Sequence, residues 1–331
     1  MSKRIFLSLA IICSRTFPPT SINQRHLFAT ALQPVSAFAV VSPPPSHPIS
    51  MAEYDPGSII ESPSAERNKG PILELVLGPV VYPRLFKGIL NDSGGSEEEE
   101  EGVGENDGNG SSSGKERVIR VLELAAGCGV HTTYFVTSFV NSQSCNAGPG
   151  ADVGVEWHPS DPDDEARSSI DARTLEGDLT EHIVPANSWA LGRVGGTACQ
   201  DGNRDKGDAG ASKGGQLGCA SDYAGHVKYF DLILCVNMIH IAPWEACLGL
   251  MECAGTVLRK GGILVCYGPY KVGGTATEGN LKFDVSLRTQ NPEWGVRNLE
   301  DVVDAAGKQG LEFLQSIEMP ANNLSVLFCK N

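Results

Sequence analysis

VLELAAGCGVH, Val121 to His131, is an apolar run that carries one acid and then bends through Gly127 and Gly129 into a stretch of helical rhythm. A strand that turns this tightly brings backbone close to whatever lies beyond its end. Glycines permit that approach, and the free amides at the start of the following helix favour a carboxylate or a phosphate. Glu123 narrows the choice. An acid on a buried strand needs a partner, and it would pair with an ammonium while repelling a dinucleotide phosphate. The third glycine of G-x-G-x-x-G is also missing, its place being taken by Thr132, which counts against a nicotinamide site. The plain alternative is a strained strand-to-helix turn with no ligand.

Outward from this turn, strands and helices alternate. The run Val118 to Ala125 suits a strand covered on both faces, and Tyr134, Phe135, Ser138 and Phe139 then repeat at helical spacing. A short strand over Val153 to Trp157 completes a βαβ unit. Further on, Tyr229 to Val236 predicts a second buried strand, and Pro243 opens a helix with Trp244, Cys247, Leu248, Met251 and Leu258 on one face. Arg259 to Gly262 reads as the end of that helix, basic residues and glycine suiting a helix C-terminus, before a strand over Ile263 to Tyr267. The ending differs. A helix over Leu299 to Lys308, capped by Asn298, leads into the alternation Leu311, Phe313, Gln315, Ile317, Met319. A tight turn at Pro320 to Asn323 then reverses the chain into Leu324 to Cys329. A purely parallel doubly wound sheet would not close on a hairpin. The pattern predicts an α/β, Rossmann-like fold with helices on both faces of a mostly parallel seven-stranded sheet whose C-terminal strand is antiparallel, the arrangement of seven-strand methyltransferases.

Other candidates sit where such a sheet binds ligands, past the C-terminal ends of its strands. Asp161 follows the second strand and is either a ribose ligand or a helix cap ahead of Pro162. Asp178, in LEGDLT, is placed to receive an adenine amino group. Asn237, Met238 and His240 follow the Tyr229 to Val236 strand, and His240 is the acid/base candidate by position, against the plain reading of an ordinary hydrogen-bonded histidine. No N-P-P-[YF] run stands there, which argues against enzymes that use it to methylate amino groups of adenine or glutamine.

Composition bounds the rest. The 331 residues are 41% apolar, enough for a substantial core, with a formal net charge of -14 and no Lys/Arg-rich run, so a nucleic-acid surface is not expected. Part of the acidity is the run Glu97 to Glu101 in a Gly/Ser/Asn tract. Residues 91–117 and 190–222 read as low-complexity insertions in surface loops of one domain spanning 53–331. The ten cysteines show no C-x-x-C, and Cys235 and Cys266 read as reduced core residues, so no metal site is expected. Residues 1–52 hold no Asp or Glu but include Lys3, Arg4, Arg15 and Arg25, a transit-peptide composition. RHLFAT (Arg25 to Thr30) suggests mitochondrial processing and VSAFAV (Val35 to Val40) plastid entry, while a start at Met51 would give a cytoplasmic form. The apolar run Ile5 to Ile12 is too short to span a bilayer.

With these pieces in hand the chain resembles the methyltransferase-like 26 family. The resemblance rests on SAERNKGPIL (Ser64 to Leu73), VLELAAGCGVH, EWHPSD (Glu156 to Asp161), FDLILCVNMIHIAP (Phe230 to Pro243), LVCYGPY (Leu264 to Tyr270), FDVSLRTQNPEWGVR (Phe283 to Arg297) and EMPANN (Glu318 to Asn323). It implies an S-adenosylmethionine-dependent enzyme, with Arg67 and Asn68 on a segment covering the cofactor; the sequence offers no appended recognition domain or basic groove for a macromolecule, so a small-molecule acceptor is expected. Glu123, Gly127, Gly129, His131, Asp161, Asp178, Asn237 and Met238 would line the cofactor. Tyr270, Asn291, Trp294 and Asn322 would surround the acceptor, with Tyr270 a second candidate beside His240 for catalysis. Ala125 stands where many methyltransferases have the first glycine. The alternatives are a non-catalytic cofactor-binding module and, third, an NAD-dependent oxidoreductase.

Overall fold

The computed structural model describes residues 58–91, 117–146, 153–188 and 229–331. The 1–52 leader and the 190–222 tract lie outside them, as does the first tract except for Asn91 and Arg117, which close a helix and open a strand.

The elements are α1 (Pro63–Ile72), a π-helical segment (Leu73–Val81), α2 (Tyr82–Asn91), β1 (Arg117–Leu124), α3 (Val130–Asn146), β2 (Val153–Ser160) and α4 (Asp164–Glu176). After them come β3 (Phe230–Val236), α5 (Trp244–Val257), β4 (Leu258–Lys271), α6 (Glu278–Gln290), β5 (Arg297–Asn298), α7 (Leu299–Gly307), β6 (Leu311–Met319) and β7 (Asn323–Lys330). Seven strands form the sheet in the order β2-β1-β3-β4-β7-β6, with the two-residue β5 beside the end of β4. β1 to β4 are mutually parallel, and β7 alone runs against its neighbours β4 and β6. Ile183 and Asn187 extend the β2 edge through two parallel bridges, at Trp157 and Ser160. The chain enters at β1, winds out to β2 and returns past β1 to β3. The switch point of this Rossmann-like sheet is therefore the gap at the ends of β1 and β3, where an open α/β sheet binds ligands.

The apolar runs explain the layers. All seven residues of β3 are buried, because helices cover both faces. On one face Val121, Trp157, Leu232 and Val265 pack against Ile72, Leu77, Phe135 and Phe139 of α1, the π-segment and α3. On the other, Leu122, Ile233 and Leu264 pack against Cys247, Leu250, Met251, Val302 and Ala306 of α5 and α7. Among the described residues no helix is long and apolar enough to cross a membrane.

Three local expectations change. Leu258 opens β4 rather than closing α5, pairing with Phe230 while Ile263 pairs with Leu232. Arg259 to Gly262 therefore bulge out of the ladder instead of capping a helix, with Arg259 paired to Asp231 and Gly261 at φ 77° supplying the left-handed residue. β2 runs on to Ser160, three residues past Trp157. The turn between β6 and β7 is a 3₁₀ turn over Pro320–Asn322.

Candidate functional site

The turn after β1 is held from both sides. Ala125 has φ 54°, Gly127 φ 59° and Gly129 φ 83°, three left-handed residues within five positions. The two glycines serve different ends. A Cβ on Gly127 would meet nothing within 4 Å, so its backbone borders open space and a ligand can come close. A Cβ on Gly129 would lie 2.9 Å from Ile170 Cα, so that glycine is needed for α4 to pack against the turn. Ala125 takes a conformation that costs an L-residue about 1 kcal/mol or more.

Glu123, at the end of β1, is 1% exposed. Its Oε2 accepts from Thr132 Oγ1 at 2.7 Å and from Trp157 Nε1 at 2.8 Å, while the buried Oε1 has no partner among the described residues. Burial pushes its carboxyl up to about 7, against the lowering effect of those two hydrogen bonds. The sequence marked Thr132 only as standing in the place of the third glycine, and Trp157 only as the end of a strand, neither as a partner of Glu123. Trp157 could have been found from parity, since it faces Val121 across the β1–β2 ladder and so lies on the Glu123 side of the sheet.

Asp161, just past β2, braces the turn. Oδ2 accepts from Gly127 N at 2.9 Å and Oδ1 from Asp163 N at 3.0 Å; burial raises its carboxyl to about 6. It is not the helix cap: Asp163 caps α4 by accepting from Ala166 N. Asp178 does not join this group. α4 runs 13 residues, about 20 Å, back towards the other end of the sheet before Asp178 appears in an exposed left-handed turn at φ 53°. Asn187 occupies the C-terminal edge instead, buried beside the end of β2, where its main-chain oxygen accepts from Asp161 N at 3.0 Å.

A strap formed by residues 58–72 closes over the turn. The Ser169 hydroxyl accepts from Ile60 N at 2.9 Å and donates to Cys128 O at 3.0 Å, while Arg173 donates to the same Cys128 O at 3.1 Å and to Ile60 O at 2.7 Å. Two side chains of α4 thus hold the strap and the turn together. Next along, Asn68 Oδ1 meets His131 Nε2 at 2.5 Å, and burial with nearby Lys69 lowers His131 to about 4, so the ring is neutral and donates to the amide oxygen. Asn68 also hydrogen-bonds the Tyr267 hydroxyl, which takes a second bond from Asn323 Nδ2 at 2.9 Å and has the exposed Arg67 nearby. Asn68 therefore bridges the start of α3 and the end of β4.

Across the switch point, Asn237 follows β3 at φ 60° and donates its backbone N–H to Tyr267 O at 2.8 Å, with Met238 half-buried beside it. His240 is 3% exposed; its Nδ1 is buried without a partner among the described residues, and burial with Arg297 nearby lowers it to about 3. The expected acceptor residues disperse. Tyr270 points into the α5/α7 core, where burial raises its hydroxyl well above the ordinary range and leaves it without a partner among the described residues. Trp294 fills a small cluster with Leu287 and Val296, and Asn291 Oδ1 accepts from Glu293 N in a local turn. Asn322 is exposed at φ 58° in the hairpin, and it is the next residue, Asn323, that reaches inward to Tyr267. A groove of about 600 Å³ lined by Trp244, Arg297, Asp301 and Lys308 opens on the α5/α7 side, away from Glu123.

The strand order, the reversed β7 and a glycine turn ending in a buried acid define a Rossmann-like protein of the class I methyltransferase fold. The chain belongs to the family described as a protein of unknown function, DUF938, also known as methyltransferase-like 26, whose profile matches residues 111–330. Three solved structures are similar to it in part. An O-methyltransferase family 2 protein from Planctomyces limnophilus in complex with apigenin has 14% identity and a TM-score of 0.44, over 64% of this chain and 51% of that one. An O-methyltransferase family protein from Burkholderia thailandensis has 11% identity and a TM-score of 0.44, over 64% and 51%. Human N-acetylserotonin methyltransferase in complex with S-adenosylmethionine has 14% identity and a TM-score of 0.39, over 64% and 47%. The chain spans about half the length of each of these.

Proposed function

We propose that this protein is an S-adenosylmethionine-dependent methyltransferase acting on a small molecule. The observation that carries the reading is Glu123: a buried carboxylate at the switch point with one oxygen satisfied and the other unmet among the described residues, beside a glycine whose α-carbon faces open space. An unmet buried carboxylate oxygen is costly, and an ammonium would repay that cost. Glu123 would hold the amino group of the methionine moiety, the Gly127 turn would receive its carboxylate, and Asp161 is placed to accept from the ribose hydroxyls. Asn68 and the strap would cover it. What the cofactor supplies when bound is a methyl group on a sulfonium, whose transfer needs alignment and exclusion of water rather than an enzyme nucleophile.

The oxidoreductase reading is weakened by the same residues. Thr132, which replaces the third glycine, commits its hydroxyl to Glu123, so the place a dinucleotide phosphate would take is occupied by an acid and its brace. Calorimetric titration of the full chain with S-adenosylmethionine, S-adenosylhomocysteine and NAD tests the proposal. Binding of both adenosyl ligands, lost in Glu123→Gln, is expected; binding of NAD alone, or of neither class, overturns it.

A further inference from the structure

We infer that the groove on the α5/α7 side is a second ligand site, apart from the Glu123 turn, and that its Lys271, Arg288 and Arg297 end takes the single oxyanion head, phosphate or carboxylate, of a small molecule.

The groove has the size for it. Its volume is about 600 Å³, and small-molecule sites run from roughly 300 to 1,000 Å³. Trp244, Leu248 and Ala305 give it an apolar wall, while Lys271, Arg288 and Arg297 reach it from the end of β4, from α6 and from β5. β5 pairs with the end of β4, Arg297 opposite Tyr270 and Asn298 opposite Lys271, which brings two of the three cations to one place.

One carboxylate serves all three. Asp284 accepts from Lys271 Nζ at 2.7 Å, from Arg288 Nε at 3.3 Å and from Val296 N at 2.7 Å. Arg297 forms no ion pair with any described residue. It donates to the carbonyls of Ile239 at 3.0 Å, Ala242 at 2.6 Å and Glu293 at 2.9 Å, and lies over the Trp244 ring at 5.8 Å. Such dipoles hold a guanidinium without cancelling its charge. Burial, and after it the like charge of Arg288, keep Arg297 below its ordinary value, the mark of crowded cations. Glu245 is also near Arg297, but it is exposed on the first turn of α5 and does not line the groove.

The surplus extends to hydrogen-bond donors. Arg288 spends only its Nε, on the two Asp284 oxygens, and Arg297 spends its Nε and Nη2. Both Nη groups of Arg288 and the Nη1 of Arg297 donate to none of the described residues. Planar forks of this kind match the paired oxygens of a carboxylate or a phosphate. They are also set in advance. A Cβ on Gly295 would come within 2.7 Å of both Arg288 Nη2 and Asp284 Oδ1, so only a glycine there lets the guanidinium and its carboxylate lie as they do. Donors already fixed cost an incoming anion little ordering.

The rest of the groove sets the limit of one anionic head. Asp301 and Asp304 of α7 and Glu252 of α5 line it too. Asp304 is paired with Lys308, and Asp301 accepts from Asn298 Nδ2 at 2.8 Å and forms no ion pair with the three cations. Glu252 stands eight residues, about 12 Å, along α5 from Trp244. A second negative charge would meet these acids, whereas hydroxyl groups could donate to them. The formal net charge of -14 draws no anion to the chain as a whole, so any that binds is held locally.

The test titrates the full chain calorimetrically, at one fixed salt concentration, with glycerol 3-phosphate, glycerate, glutarate and glycerol, while the Trp244 indole N–H signal is followed by NMR. Glycerol 3-phosphate or glycerate is expected to bind with a Kd on the order of 0.1 mM and to move that signal, the tighter of the two identifying the head. Glutarate and glycerol should bind at least about tenfold more weakly, Arg288→Gln should weaken the preferred anion about tenfold, and Lys308→Gln should leave it within about twofold. The Trp244 signal decides the matter even if Arg288→Gln does not fold. No binding of either anion at about 10 mM, an unmoved Trp244 signal, or equal binding of glutarate overturns the inference. So does an affinity indifferent to Arg288→Gln, which would place the anion elsewhere, as at the amides of the Gly127 turn.

Discussion

The two sides of the switch point are built differently. Around β1, β2 and α4 the buried polar groups are met in three sets, Thr132 and Trp157 on Glu123, Asp161 on Gly127, and Ser169 and Arg173 on Cys128, and among the described residues there the unmet atom is Glu123 Oε1. Around the end of β3 and α6 the backbone is clamped as firmly, yet the His240 Nδ1 is left unpartnered among the described residues; the Tyr270 hydroxyl, also without a partner among them, lies apart in the α5/α7 core. The first side is organised in advance around one unmet carboxylate oxygen. On the methyltransferase reading that side would take the cofactor.

Five substitutions would break or sharpen this contrast. Gly129→Ala should be the most damaging, costing roughly 3 kcal/mol by combining left-handed strain with a clash against Ile170, whereas Gly127→Ala should cost about 1 kcal/mol, from strain alone. Equal losses in thermal unfolding would mean that the turn is not packed as described. Glu123→Gln should weaken S-adenosylmethionine binding by about 2 to 3 kcal/mol, roughly 30- to 150-fold. It should also abolish a pH dependence. With Glu123 raised to about 7 in the folded protein and near 4.5 when unfolded, the native state holds an extra proton between those values. The stability this group contributes is therefore full below pH 4.5 and lost as pH rises to about 7. Affinity for the ammonium runs the other way, climbing about tenfold per unit up to pH 7 and levelling above it. Titrations at pH 5.5, 6.5 and 8 that gave one affinity would refute the pairing.

Arg173→Met should cost about 1 to 2 kcal/mol of cofactor affinity, seen as faster dissociation in a chase experiment and as quicker amide exchange in residues 58–62, because it loses bonds to both the strap and the turn. Exchange that rose in the turn but not in the strap would uncouple them. The smallest effect tests the α5/α7 core: Tyr270→Phe deletes a buried hydroxyl that has no partner among the described residues and should raise stability by about 1 kcal/mol. A loss of stability instead would assign that hydroxyl a bond within the fold.

Much of the frame was legible because it is written in uninterrupted apolar runs. Phe230 to Val236 and the hairpin after Met319 say strand by composition and turn chemistry alone. α1, the π-segment and α6 were not. Gly70, Pro71, Gly78 and Pro79 mask the first two with helix breakers, and the outward Leu281, Phe283 and Val285 of α6 cancel its periodicity. In the site, Glu123 and Asp161 were legible as candidates because each is an acid at the C-terminal end of a strand, where an open α/β sheet binds ligands. Asp178 was misplaced because its position depends on how far α4 runs, which local sequence does not show. Arg173 and Ser169 were missed because each partners a backbone group more than 40 positions away.

The double hold of α4 on Ile60 and Cys128 also bears on timing. Lifting the strap and loosening the turn break bonds to the same two side chains, so they are one event. In an enzyme so built, the spent cofactor leaves only when the cover and the floor of its pocket let go together. Turnover would then follow the opening of the strap more closely than the methyl transfer, and product added at the start of a reaction would slow it.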